Sequence, residues 1–352
     1  MKKQISRFVS VCLAASVLGL SLAGCGSDPA ASGSQAGGAS SGGAASGGAA
    51  GGDKSMAIMM QSVADEFIYS VGKKAQEYAE EQGYTVSFYN ADNNADTQAS
   101  QINDVLAAGV DAIVLAPVDA DALSDSVAAI NEANVPVTLI DRTVSDGKFV
   151  SVNQADNVQC GYQGAVALVD QAKAQGIDVA DLKVLELMGD LSSTSGLERS
   201  QGFQQAAEEL GFKIVSSLPT YWQSDTAYND TLDAFQADPD INAIYCASDG
   251  VMADSVINAL DQMQLLKKKG EDGHIIITTV DGTPGVIKYI KDGHIDAACS
   301  QPAFQMATDA VDYLTKALAG EEKIDGCVNN SLAPVIITDE NADSSDLWGN
   351  NV

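Results

Sequence analysis

The fold of this chain is decided by residues 55–90, SMAIMMQSVADEFIYSVGKKAQEYAEEQGYTVSFYN. Two short apolar runs, at 57–60 and 86–89, have the length and composition of buried strands. Between them, apolar side chains recur at helical spacing over residues 67–82. A strand, an amphipathic helix and a second strand in this order predict a βαβ unit with two parallel strands.

The same alternation continues along the chain. Further buried strands are predicted at 112–115, 137–140, 184–187, 214–218, 243–246, 275–280 and 297–300. Helices are predicted around them at 97–108, 123–133, 157–175, 197–210, 226–235, 251–262, 284–291 and 304–319. Because repeated βαβ units build parallel sheets with helices on both faces, the pattern predicts an α/β protein with two successive doubly wound sheets. The acidic segment after Ile337 is predicted to lie on the surface.

The N-terminus carries a targeting signal. Three basic residues precede an apolar run over 8–22, which ends in Leu22-Ala23-Gly24-Cys25. The run is shorter than the roughly 20 apolar residues that span a membrane. Residues 1–24 are therefore predicted to be a lipoprotein signal peptide, and Cys25 the lipidated first residue of an extracytoplasmic protein anchored to the cell membrane. Residues 25–52 are almost wholly Gly, Ala and Ser, which predicts a flexible linker.

Composition excludes several classes of partner. The formal net charge is −29, with 48 acidic against 19 basic residues, so nucleic acid and anionic lipid surfaces are not expected partners. The six cysteines form no CxxC or Cys/His pattern, so neither a metal nor another cofactor is expected. Cys246 and Cys299 lie in apolar runs and are predicted to be buried thiols, with a disulfide as the open alternative.

Catalytic motifs are missing from the sequence. His274 and His294 are the only histidines, and both follow glycines near acidic turns, where they are predicted to be solvated. No GxSxG, P-loop or HExxH motif is present. The sequence therefore favours a binding protein over an enzyme, and no residue is assigned a catalytic role.

Polar and aromatic residues follow one predicted strand after another. Ligands of open parallel sheets bind beyond the carboxyl ends of the strands, so these residues are expected to meet. Sugar hydroxyls need planar polar partners, and the C–H face of a sugar ring needs a flat aromatic surface, so the set predicts a polyhydroxylated ligand. The candidate ligand-binding residues are Asp65, Phe67, Asp141, Arg142, Asp190, Arg199, Trp222, Ser248, Asp281 and Gln301.

Some of these positions have a second interpretation. Asp281 lies in Asp281-Gly282-Thr283-Pro284 and is also a possible turn residue. Phe67 and Trp222 are also candidates for the apolar core. Asp249 follows a predicted strand too, but it precedes the helix predicted at 251–262, and an N-cap role is favoured for it.

In its motifs the chain resembles the ribose/galactose branch of the periplasmic sugar-binding proteins, the substrate-binding components of ABC importers. The resemblance covers roughly residues 55–338 and rests on the order of several short motifs: Gly109-Val110-Asp111-Ala112, Asn134-Val135-Pro136-Val137, Asp141-Arg142, Glu198-Arg199, Gly202-Phe203, Asp281-Gly282-Thr283-Pro284 and Gln301. It implies a type I periplasmic binding protein fold, with two lobes joined by a three-crossing hinge near Ala155, Gln301-Pro302 and Ser331-Leu332. The N-terminal lobe would comprise 53–155 plus 302–331, and the C-terminal lobe 156–301 plus 332–352.

The resemblance also implies roles for the candidate residues. Phe67 and Trp222 would sandwich the sugar ring, and the hydroxyls would bond to Asp141, Arg142, Arg199, Asp281 and Gln301. The family's ribose binders carry Asn at the positions of Asp65, Ala116 and Ser248, whereas its glucose/galactose binders carry Asn-Lys at 141 and 142 and His at Ser193. A pentose, a hexose and a cyclitol all remain open, with a lean towards an aldohexose.

The expected function is that of a monomeric, lipid-anchored binding protein. It would capture a monosaccharide, an aldohexose or a pentose, in a cleft between the lobes and deliver it to the transmembrane subunits of an ABC permease. The alternative is a receptor that presents its sugar or signal to a membrane sensor kinase or chemoreceptor. An α/β enzyme acting on sugars is the third and least favoured hypothesis.

Overall fold

The computed structural model describes residues 54–352. The predicted signal peptide, the lipidated Cys25 and the linker over 25–52 lie outside these residues. Within 54–352, no helix has both the length and the apolar character that a membrane span requires.

Strands and helices alternate along most of the described chain. The strands are β1 (Ser55–Met60), β2 (Thr85–Asn90), β3 (Ala112–Leu115), β4 (Val137–Ile140), β5 (Ser151–Ala155), β6 (Lys183–Met188), β7 (Lys213–Pro219), β8 (Ala243–Cys246), β9 (Ile276–Asp281), β10 (Ala297–Ser300), β11 (Val328–Leu332) and β12 (Val335–Ile337). The helices are α1 (Glu66–Glu81), α2 (Ala95–Ala108), α3 (Ser124–Glu132), α4 (Asn157–Ala174), α5 (Thr194–Leu210), α6 (Ser224–Ala237), α7 (Asp249–Gln262), α8 (Pro284–Asp292) and α9 (Ala303–Leu318).

The strands form two six-stranded sheets. The first has the order β11-β5-β4-β3-β1-β2 with every pair parallel, and the second has the order β12-β10-β9-β8-β6-β7. In the second sheet, β12 runs antiparallel to β10 at one edge, whereas the other pairs are parallel. The predicted α/β class with two doubly wound sheets is confirmed, apart from this antiparallel edge strand.

The apolar pattern does not predict three of the strands. β5, β11 and β12 each adjoin a point where the chain passes between the sheets, which it does after β5, before α9 and between β11 and β12. β5 carries the buried polar residue Asn153, whose amide donates to the carbonyl of Leu139, while its oxygen accepts from Asn330 on β11. Because polar side chains of β5 are buried and hydrogen-bonded in this way, the strand contains no apolar run, and the apolar pattern does not reveal it.

Two helices that pack on the second sheet, α4 and α5, approach each other unusually closely. A Cβ at Gly161 on α4 would overlap the carbonyl oxygen of Arg199 on α5, and a Cβ at Gly202 would overlap the carbonyl oxygen of Val158. Glycine is needed at both positions because the two backbones touch there. This crossing brings the side chains of Asn157 and Arg199 within hydrogen-bond distance, 2.9 Å from Nε to Oδ1.

Most residues of the segment after Ile337 are exposed, as its composition predicts, but four residues of the segment are buried. Ala342 and Leu347 are buried in the apolar core of the second sheet, and Trp348 is buried against the helices of the first sheet. These few apolar residues anchor the segment to both cores, which its mostly polar composition does not indicate.

His274 also contradicts its prediction. It is buried, and its Nε2 lies 3.0 Å from the carboxylate of Asp296, while Nδ1 bonds to the carbonyl of Lys267. A glycine-rich acidic turn suggested a solvated ring, but the partner carboxylate comes from a position 22 residues away. Cys246 and Cys299 are buried free thiols, as predicted.

Candidate functional site

The candidate residues meet at the facing carboxyl ends of the two sheets. Asp141 and Arg142 follow β4 of the first sheet, whereas Asp281 ends β9 of the second sheet. Arg199 lies in the second turn of α5, and Trp222 follows β7. The side chains of Asp141, Arg199 and Asp281 are almost completely buried, so the site is a polar cluster enclosed between two apolar cores.

Asp281 is the centre of this cluster. Its Oδ1 accepts hydrogen bonds from Gln301 Nε2 at 2.7 Å and from Arg199 Nη1 at 3.3 Å. Its Oδ2 accepts one from Ser248 Oγ at 2.6 Å. Arg199 Nη2 also lies 3.9 Å from Asp141 Oδ1. The guanidinium of Arg199 therefore stands between a carboxylate of each sheet, and these charges stabilise one another in a site with little water.

Trp222 covers one side of the cluster. Its ring centroid lies 5.7 Å from the guanidinium carbon of Arg142 and 5.8 Å from that of Arg199, both within the range of cation–π attraction. Its Nε1 donates to Ser193 Oγ at 3.1 Å, which orients the ring. A Cβ at Gly189 would overlap the ring, so glycine is required at this position for Trp222 to lie beside the two arginines.

Several site residues have a strained backbone. Asp141, Trp222 and Asp281 are not glycines, yet their φ angles are 67°, 54° and 125°. Such conformations cost on the order of 1–3 kcal/mol each and persist where the surrounding structure enforces them. Here they turn a carboxylate or an aromatic ring towards the space between the sheets.

Buried polar atoms of this cluster are left without partners. Within residues 54–352, four side-chain atoms near the cluster lack a hydrogen bond: Asp141 Oδ1, Asn157 Nδ2, Ser195 Oγ and Gln301 Oε1. A buried unpaired polar group costs about 1–3 kcal/mol, so a partner that bonds to these atoms stabilises the cluster. The four include donors and acceptors, which is the combination that hydroxyl groups match.

Two adjoining cavities give the cluster access to solvent. A small inner cavity of about 10 Å³ is lined by Asp65, Phe67, Ile68, Asp141, Arg142, Ser195, Arg199, Trp222, Ser248 and Asp281. An outer cavity of about 640 Å³ shares Asp65, Arg142 and Trp222 with it. The inner cavity thus brings together all the predicted residues except Asp190 and Gln301. Gln301 lies just behind it, bonded to Asp281.

Asp190 and Phe67 lie differently from what the sequence suggests. Asp190 lines neither cavity; its carboxylate accepts from the backbone of Ser192, and its carbonyl accepts from Ser193, so it shapes the loop that precedes α5. Phe67 lines the inner cavity, but its ring is buried and packs edge-on against Trp348, with centroids 5.7 Å apart.

The N-cap interpretation of Asp249 is wrong. Its carboxylate accepts from Thr279 Oγ1, from Gly282 N and from Thr283 N, so it braces the turn that follows Asp281 rather than its own helix. Ser248 occupies the N-cap position, and its hydroxyl bonds to Asp281 instead of capping α7. Local sequence could not reveal these partners, which are 30 or more residues away.

The site holds more acidic groups than its two arginines balance. Burial and the negative charge of Asp281 raise the pKa of Asp249 to about 8. Burial and the charges of Asp281 and Asp141 raise the pKa of Asp65 to about 7, although backbone N–H groups oppose the shift. Burial also raises the pKa of Asp281, against the opposing effect of Arg199. These carboxyls therefore keep their protons to a higher pH than exposed aspartates do.

We predict that Asp249→Asn flattens the pH dependence of stability between pH 6 and 8, the upper part of the range over which this carboxyl titrates differently in the folded and unfolded chain. A carboxyl whose pKa is raised on folding contributes stability that is fully present below its unfolded pKa and is lost as the pH rises through its folded pKa. For Asp249 the loss extends from about pH 4 to about pH 8. Asn cannot ionise, so the free energy of unfolding of this variant, measured by urea denaturation, should fall less over the upper part of this window. Equal slopes in the variant and the wild type would contradict the prediction.

Comparisons with known proteins show which family the chain belongs to. Residues 56–322 match the family described as "Periplasmic binding protein domain". The ribose import binding protein of Escherichia coli is 28% identical over 268 residues, which are 76% of this chain and 86% of that protein. A xylitol-binding protein of Mycolicibacterium smegmatis is 26% identical over 290 residues, covering 82% of this chain and 74% of that protein.

Solved structures share the fold. A galactofuranose-binding protein superposes with a TM-score of 0.74 at 22% identity, covering 85% of this chain and 98% of its own. A Caulobacter myo-inositol-binding protein superposes with a TM-score of 0.73 at 23% identity, covering 86% of this chain and 98% of its own. The matched family consists of binding proteins, which confirms the expectation that the chain is not an enzyme. The chain belongs to the family of periplasmic sugar-binding proteins, in its ribose/galactose branch.

Proposed function

We propose that this protein captures a monosaccharide, an aldohexose or a pentose, between its two sheets and delivers it to an ABC permease. The observation that carries the proposal is the convergence of Asp141 and Arg142 from one sheet with Arg199 and Asp281 from the other, beside the ring of Trp222. A ligand held by groups of both sheets is bound most tightly when the sheets are close together, which couples binding to closure.

The cluster suits a neutral sugar. In the present conformation its charged groups bond mainly to one another, as in the pairs Arg199–Asp281 and Arg142–Asp141. Sugar hydroxyls would enter this network, donating to carboxylates and accepting from guanidinium groups, without adding a charge. Hydrogen bonds to charged groups contribute about 1.5–3 kcal/mol each, so three or four would support micromolar binding, which needs about −8.2 kcal/mol.

Relatives narrow the ligand class. Besides the ribose import binding proteins, a relative in Pseudomonas aeruginosa is a "D-ribose/D-allose-binding protein", 25% identical over 285 residues. Five- and six-carbon sugars thus occur among the relatives that match most of this chain. We infer that the candidate residues Asp65, Phe67, Asp141, Arg142, Arg199, Trp222, Ser248, Asp281 and Gln301 recognise such a sugar, with Asp190 shaping the adjacent loop.

Binding also requires the sheets to separate. The inner cavity holds only about the space of one water molecule, so a sugar ring can enter only when the surrounding side chains move apart. We propose that residues 53–155 plus 302–331 and residues 156–301 plus 332–352 move as an N-terminal and a C-terminal lobe. The hinge would be the three connections between the sheets.

The proposed anchor is Cys25. It follows an apolar signal and precedes a Gly/Ala/Ser linker, so a lipid on its thiol would hold the folded part about 30 Å from the membrane on average. We predict that Cys25→Ser abolishes membrane association, because no acyl chain can be attached. Fractionation of cells expressing either form, with immunoblotting of the membrane fraction, measures this. Retention of the variant in that fraction, at the wild-type level, would refute lipid anchoring at Cys25.

We predict that one or two sugars raise the unfolding temperature of the purified protein. The panel contains D-ribose, D-allose, D-galactose, D-glucose and myo-inositol, with amino acids as controls. A ligand at 1,000 times its dissociation constant adds about 4 kcal/mol to the free energy of unfolding, a shift that differential scanning fluorimetry resolves easily. A folded protein that responds to none of the sugars would contradict the proposal.

We predict that Trp222→Ala weakens sugar binding by about 1–3 kcal/mol, because the aromatic surface and its contacts with both arginines are lost. Isothermal titration calorimetry with the sugar found in the panel measures the change. Gly189→Ala should also weaken sugar binding, because the added Cβ displaces the ring of Trp222. In a chain that already carries Trp222→Ala, it should cause no further loss of affinity.

Tyr69→Ala is the matched control, because Tyr69 is an exposed aromatic residue outside both cavities. It should leave the affinity unchanged. A large fall in the sugar-free stability of Trp222→Ala, with unchanged affinity, would instead place Trp222 in the core.

A further inference from the structure

Trp348 contacts both sheets at once. Its Nε1 donates to the backbone carbonyl of Asp281 at 3.0 Å, at the end of β9 in the second sheet. Its ring packs against Phe67 of α1 and against Phe304 of α9, with centroids 5.7 and 6.2 Å away. Both helices pack on the first sheet. Trp348 is 4% exposed and lies outside residues 56–322, which match the family.

The segment around Trp348 is attached to the second sheet. Leu347 and Ala342 are buried in the core of that sheet. The next residue, Gly349, lies so close to the turn after Asp281 that a Cβ would overlap the carbonyl oxygen of Gly282. Asn350 Nδ2 donates to the carbonyls of Ala342 and Ser344, which closes the segment into a compact loop.

These contacts place Trp348 directly behind the binding cluster. On one side it bonds the backbone of Asp281, whose side chain is shared by Arg199, Ser248 and Gln301. On the other side it touches Phe67, which lines the inner cavity. Asp281 and Phe67 line the same inner cavity, and Trp348 contacts both of them from behind, through a hydrogen bond to one and a ring contact with the other.

We propose that Trp348 is a positioning residue for Asp281 and a strut that holds the two lobes closed. The proposal rests on the lobe motion of the proposed function. Because the segment is anchored in the core of the second sheet, opening separates the indole from Phe67 and Phe304 and leaves its bond to Asp281 in place. The strut therefore raises the population of the closed form before any sugar binds, and a larger closed population lowers the apparent dissociation constant.

The two roles use different parts of the indole and can be separated. Trp348→Phe retains a ring against Phe67 and Phe304 but loses the N–H donor to Asp281. Phe304→Leu weakens the ring contact but retains the donor. Trp348→Ala removes both. Asp346→Ala is the matched control, because Asp346 is exposed in the same segment and its side chain makes no described hydrogen bond within residues 54–352.

The closure test needs no sugar. Glu77 on α1 and Asp261 on α7 are exposed residues of the two lobes and are replaced by p-acetylphenylalanine carrying nitroxide labels. Double electron–electron resonance then measures the distance between the lobes in the full chain. We expect Trp348→Ala and Phe304→Leu to increase the population at long distance, and Trp348→Phe and Asp346→Ala to resemble the wild type. An unchanged distance distribution in both Trp348→Ala and Phe304→Leu would overturn the strut.

The positioning test uses affinity for D-ribose, D-allose and myo-inositol as probes. We expect Trp348→Phe to weaken binding of the responsive probe at least threefold and Trp348→Ala about tenfold, with the control unchanged. Wild-type affinity in both Trp348 variants would overturn the positioning role. Urea denaturation verifies that each variant is folded. If no probe binds the wild type, the proposed function fails, whereas the distance measurement still decides the strut.

Discussion

The guanidinium of Arg199 is enclosed between a carboxylate of the first sheet and a carboxylate of the second, and the rest of the site is arranged around it. Removing one partner of a buried charge pair costs about 3–5 kcal/mol, since the other charge is left unpaired in a medium of low polarity. Two further hydrogen bonds stabilise the buried guanidinium: Nη1 of Arg199 donates to the carbonyl of Ala247, and Nε donates to Oδ1 of Asn157. Whatever changes the distance between the sheets changes the environment of this charge.

The surrounding structure holds this arrangement in place at some cost. Gly161 and Gly202 let two helices touch so that Arg199 reaches Asn157, and Asp249 braces the turn that carries Asp281. Asp249 is itself a buried carboxyl with a raised pKa. The surplus of carboxyl groups, the strained backbone conformations and the unpaired polar atoms all lie in the cluster around Asp281. Such features are destabilising in an apolar core, but they are typical of functional sites.

Sequence reasoning succeeded where a general rule links position to space. Residues that follow parallel strands collect at one edge of a sheet, so the convergence of Asp141, Arg142, Ser248 and Asp281 could be predicted without knowing any contact. It failed where a side chain had two plausible partners. Asp249 precedes a helix as an N-cap would, yet it bonds a turn over 30 residues away. His274 bonds Asp296, which precedes the neighbouring strand of the second sheet.

The sequence by itself determined the two sheets, the residue types at their carboxyl ends and the family, because periodicity and strand-to-helix order are local properties of the chain. Only the tertiary structure decided which groups bond to which. It placed Trp348, from a segment predicted to lie on the surface, between Asp281 and Phe67. A hydrogen bond or a ring contact depends on distances of a few ångströms between residues far apart in the chain, and those distances exist only after both sheets have packed.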